Sequence, residues 1–101
     1  MDQDLLFRIG EALYGRDWES ALARDLAMGR RAIARMASGQ NPIAPGFTRD
    51  VVTIIKHRVE GVAALHQRAP EVIKERLMDR ARELGALGEE AAAAIERRLA
   101  G

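Results

Sequence analysis

Apolar positions recur at helical spacing through almost the whole chain, which predicts an all-α protein. Leu5, Leu6, Ile9, Ala12 and Leu13 outline a first helix ending near Tyr14, with Asp2 or Asp4 as cap and Gly15 placed to stop it. Asp17 caps a second helix that opens on Trp18, a packing residue whose indole N–H could also reach a phosphate from the edge of the core, and carries Leu22, Ala23 and Leu26 as one stripe. Ala27-Met28-Gly29 interrupts that stripe, and a new period begins with Ile33 and Met36 facing inward. Pro42, Pro45 and Gly46 mark a fixed turn. Beyond it, Thr48 or Asp50 starts a long helix over about 49–67. The β-branched Val51, Val52, Ile54 and Ile55 locally suggest a strand, but Val51, Ile55, Val59, Val62 and His66 keep the helical period. Pro70 opens another helix with Val72, Ile73, Leu77, Ala81 and Leu84 on one face. Gly85 and Gly88 are expected to break it, leaving an Ala-rich last helix over 89–100 with Ile95 and Leu99.

The stretch 19–39 organises the rest. Two short helices around a brief turn, with the small Ala23 where they approach, form the sequence pattern of a helix-turn-helix. At 100° per residue, Arg31, Ala34, Arg35 and Ser38 share one side of the second helix, opposite Ile33 and Met36. Arg30 and Arg31 lie in its first turn, where the positive end of the helix dipole disfavours cations. Stability alone selects Asp or Glu there, so these arginines point to a use outside the fold. Recognition-helix residues near an N-terminus reach DNA bases and phosphates. A solvated face is the plainer reading of three arginines taken without the motif.

Ile9 to Gly15 reads Ile-Gly-Glu-Ala-Leu-Tyr-Gly; Trp18 follows, then Ala-Leu-Ala-Arg-Asp-Leu (Ala21 to Leu26), the Arg-rich helix, and Pro-Ile-Ala-Pro-Gly (Pro42 to Gly46). In this combination, over roughly residues 5 to 66, the chain resembles the lambda-repressor-like (Xre-type) helix-turn-helix regulators, and more narrowly short bacterial members of that group. The resemblance implies a DNA-binding bundle. Three positions depart from the usual motif: Ala27 stands where glycine is common in the turn, Gly29 where Ser or Thr caps the second helix, and Glu19 where Gln touches a phosphate. Under this reading Arg31, Ala34, Arg35 and Ser38 face the major groove, and Arg30, Gln40, Asn41 and Ser20 are backbone contacts. Gln40 and Asn41 also read simply as turn residues.

A chain of 101 residues suits one compact bundle, divided here into a helix-turn-helix part, 1–68, and a C-terminal helical extension, 69–101, for five or six helices in all. Its four aromatics, Phe7, Tyr14, Trp18 and Phe47, all lie in the first half, which places the best-packed core there. Net charge is only +1, but residues 24–58 hold seven cations and two anions, a local +5, whereas 59–101 hold seven cations and eight anions. Positive charge therefore gathers on the motif and the helix after it, as a nucleic-acid footprint requires.

Other chemistry finds little support. Cysteine is absent, which excludes disulfides and thiolate metal sites. His57 and His66, nine residues apart on one helix, fall on opposite faces and cannot chelate one metal together. Glu71, Glu75 and Asp79 alternate with Arg76 and Arg80 as a salt-bridged exposed face rather than an acid–base pair. No nucleophile–base set or phosphate-cradling glycine loop is present. The expectation is a non-enzyme without cofactor or metal. With no bilayer-length apolar run and no signal pattern, the expected location is cytoplasmic.

The expected function is sequence-specific binding of double-stranded DNA in transcriptional regulation, as a homodimer on two half-sites. Two other readings remain open: a protein-interaction module docking on polymerase or another regulator, and an architectural DNA binder of low specificity. The apolar stripe Val72, Ile73, Leu77, Ala81, Leu84, Leu87, Ile95 and Leu99 has to be covered, either by the long helix of the same chain or by the same stripe on a second chain, an arrangement that suits two-fold half-sites.

Overall fold

The computed structural model describes the backbone of residues 1–100 and the side chains of residues 1–97. Five helices follow in order: α1 (Gln3–Tyr14), α2 (Trp18–Asp25), α3 (Arg30–Ser38), α4 (Pro45–Arg68) and α5 (Glu71–Ala100). The architecture is all-α, as the apolar periodicity predicts. One core draws on every helix: Leu6 and Ile9 from α1, Trp18 and Leu22 from α2, Ile33 from α3, Val51 and Ile55 from α4, and Leu84 and Ala91 from α5.

Helix ends follow the local chemistry. Asp2 caps α1, its Oδ1 accepting from the Leu5 N–H at 2.8 Å. Asp17 occupies the cap position of α2 but makes no side-chain bond to it. The α1 C-terminus has no basic residue in its own last turn. Two distant arginines supply the donors instead: Arg58 of α4 to the Leu13 carbonyl at 2.8 Å, and Arg80 of α5 to the Ala12 carbonyl at 2.9 Å. Both place positive charge at the negative end of the α1 dipole and satisfy carbonyls that lack helical partners.

The turn after α3 is shorter than the proline–glycine pattern suggests. Pro45 and Gly46 belong to α4, which starts at Pro45 rather than near Arg49. Proline fits this first position because its missing N–H has no partner within the helix anyway. Neither Thr48 nor Asp50 caps the helix: Thr48 is buried a turn inside it, its hydroxyl donating to the Ala44 carbonyl.

The expected break at Gly85 and Gly88 does not occur; α5 is one helix of 30 residues. Two internal glycines cost about 1 kcal/mol each relative to alanine, and the packing of Leu84, Leu87 and Ala91 outweighs that. A Cβ on Gly88 would stand 3.1 Å from Ile55 Cγ2, so the glycine also lets α5 lie close on α4. The two long helices form an antiparallel hairpin. The predicted stripe of α5 divides accordingly. Leu84 and Leu87 are buried within the same chain and Ile95 packs partly against the core, whereas Val72 is 79 % exposed and Ile73 is exposed as well. Leu99 lies outside the described side chains.

Candidate nucleic-acid interface

α2 ends in a double-bonded cap. The Met28 N–H donates to the Ala23 carbonyl at 2.8 Å and the Ala27 N–H to the Arg24 carbonyl at 3.2 Å. This Schellman pattern needs a left-handed residue at Ala27, whose φ is +54°. Glycine is the usual occupant of such a position, so alanine holds the turn at a steric cost. Gly29 then caps α3 in extended conformation, φ −74° and ψ 140°, without a side-chain hydrogen bond. The first-turn N–H groups of α3 consequently lack a side-chain acceptor from the cap residue.

The two faces of α3 are as the periodicity predicts. Ile33 is fully buried and Met36 nearly so. Arg30, Arg31, Arg35 and Ser38 are exposed, and Ala34 is half-buried between them. Arg31, Ala34, Arg35, Ser38 and Gln40 line one shallow surface depression. Among the described residues, none of the three α3 arginines takes part in an ion pair. The Ser38 hydroxyl donates to the Arg35 carbonyl at 3.2 Å, which leaves its oxygen free to accept. Gly39 closes the helix in left-handed conformation with φ +88°, and the Asn41 N–H donates back to the Arg35 carbonyl at 3.2 Å. That bond holds the exposed Asn41 against the C-terminal end of α3. Ser20 is exposed on α2, apart from the depression.

Gln3 carries no signal in the sequence pattern. Its side-chain amide lies against Gly39, at a place a Cβ there would occupy, so the start of α1 adjoins the end of α3. No local pattern signals a contact across 36 residues. The histidines do not converge: His57 is exposed and His66 half-buried, and among the described residues no three metal-ligating side chains come together. No helix among the described residues is long and apolar enough to cross a membrane.

No protein-family model, curated protein or solved structure matches the chain. The residues and their placement therefore carry the functional reading alone.

Proposed function

We propose that the protein binds double-stranded DNA through α3 and acts in sequence-specific transcriptional regulation. The observation that carries this reading is the outer face of α3: three exposed arginines without anionic partners, two of them at the helix N-terminus, on a helix anchored from behind by Ile33 and Met36. Cations there oppose the helix dipole and gain nothing from the fold. Phosphate removes the conflict, because it accepts from the first-turn N–H groups and pairs with Arg30. Arg31 and Arg35 then lie along the groove, where a guanidinium pairs bidentately with guanine O6 and N7. Ala34 between them offers an apolar contact to a thymine methyl. Gln40, Asn41 and Ser20 suit the sugar–phosphate backbone.

Two copies on two half-sites fit the modest reach of one nine-residue recognition helix. A salt series tests the electrostatic part. Affinity for a mixed-sequence duplex should fall linearly in log–log form with salt, and Arg30→Ala should reduce the slope by about one unit. A salt-independent affinity, or one unchanged in Arg30→Ala, would remove the phosphate contact from the account.

A further inference from the structure

A cleft of about 570 Å³ lies between α1 and α5, lined by Phe7, Ala12, Ala86 and Leu87 with Arg8, Glu11, Glu83 and Glu90. Its position gives it no share in the α3 face. We propose that this cleft binds a lipophilic organic cation, a small molecule with an apolar or aromatic body and a delocalised positive charge.

Three observations carry the proposal. The cleft is open to solvent, its volume is of the order of small-molecule sites, roughly 300–1,000 Å³, and its apolar floor is flanked by four charged residues. Phe7 lines it and is 51 % exposed, so part of an aromatic ring is open to a ligand. The charge around that surface is net negative, with four carboxylates against two guanidinium groups. Arg8 is already neutralised by Asp4 at 3.0 Å and Glu90 at 3.1 Å. Glu11 and Glu83 make no ion pair among the described residues. Arg80 donates to the neutral carbonyl of the lining residue Ala12 and keeps its positive charge, so it offsets part of the negative charge of the carboxylates. The site thus presents an aromatic ring and two unpaired carboxylates on opposite walls. A cation gains from both carboxylates and from the ring quadrupole, whereas an anion meets a net negative surround in which only Arg8 and Arg80 attract it.

The cleft is coupled to the helix-turn-helix by direct contact. The Phe7 ring stands edge-on to Trp18 at 6.2 Å between centroids and 87° between planes. Trp18 is the first residue of α2 and lies against Gly10, where a Cβ would overlap the indole. A ligand that moves Phe7 therefore presses on α2. Any regulatory meaning of that coupling rests on the DNA-binding reading; occupancy of the cleft does not.

Binding is tested without DNA on the full chain. Trp18 is the sole tryptophan, so its emission reports the site. Tetraphenylphosphonium should bind saturably and change that emission, with calorimetry giving one site per chain. Tetraphenylborate, the same shape with opposite charge, should bind at least about tenfold more weakly. Glu11→Gln and Glu83→Gln should each weaken the phosphonium by roughly twofold to fivefold. Phe7→Leu, which keeps an apolar side chain but removes the ring, should weaken it by a similar factor. The proposal is overturned if no saturable binding appears up to about 1 mM, if phosphonium and borate bind alike, or if the glutamine variants match the parent. Emission that shifts with protein concentration alone, and no longer responds to the phosphonium, would assign the cleft to a second copy of the chain and equally overturn it. Loss of DNA affinity in any variant bears on the DNA reading and leaves the binding result standing.

Discussion

The Tyr14 hydroxyl donates to Asp25 Oδ2 at 2.6 Å, tying the last residue of α1 to the last residue of α2. Arg58 of α4 completes the junction, its guanidinium carbon 5.4 Å from the centre of the Tyr14 ring. Three helices thus meet beside the turn that joins α2 to α3. Tyr14→Phe removes the hydroxyl and keeps the ring under Arg58. It should lower stability by about 0.5–1 kcal/mol in urea unfolding, since the bond is solvent-accessible.

The same phenol predicts an alkaline limit. Burial, and then the hydrogen bond and negative charge of Asp25, raise the Tyr14 pKa above its ordinary value, with Arg58 opposing. A raised folded-state pKa contributes stability that is present in full below the unfolded value of about 10 and is lost as pH climbs through the folded value. Stability should therefore fall above about pH 10, and more steeply in the parent than in Tyr14→Phe. Tyr14 is the sole tyrosine, so phenolate absorbance follows it directly. A native-state midpoint at or below the free-tyrosine value would contradict the half-buried, Asp25-bonded geometry.

Ala27→Gly should stabilise the protein by about 1 kcal/mol, because glycine reaches the left-handed φ of +54° without the Cβ clash. Urea unfolding should show a higher midpoint at an unchanged slope. A lower midpoint would mean that Ala27 does not hold this conformation in solution.

Ile33→Ala should cost about 2–5 kcal/mol, since the side chain is fully inside the core. Arg35→Ala, on the opposite face, should change stability by less than about 0.5 kcal/mol. Equal melting temperatures for Ile33→Ala and the parent would show that the faces of α3 are reversed.

Much of this arrangement is legible in the chain because it is local. The inner and outer faces of α3 follow from Ile33, Met36 and the arginines between them, and Ala27, where glycine is common, falls in the turn. What escapes the sequence is set by distant contacts. Gly85 and Gly88 look like breakers, yet α5 passes through them because Leu84, Leu87 and Ala91 pack into a core built from distant parts of the chain. Arg58 and Arg80 cap α1 across 45 and 68 residues, a separation that no pattern reports. Phe7 has the apolarity of a core residue but stays half exposed because Trp18 already fills the space beside Gly10.

The central claim is that α3 reads DNA with Arg31 and Arg35, and selection from a randomised duplex pool tests it most directly. The parent protein should enrich a defined motif containing guanine. Arg35→Ala should lose about 1–3 kcal/mol on that motif and relax the preference at one position, whereas Arg30→Ala should weaken all duplexes alike and leave the motif unchanged. No enriched motif, or the same uniform loss in Arg30→Ala and Arg35→Ala, would contradict base reading by α3.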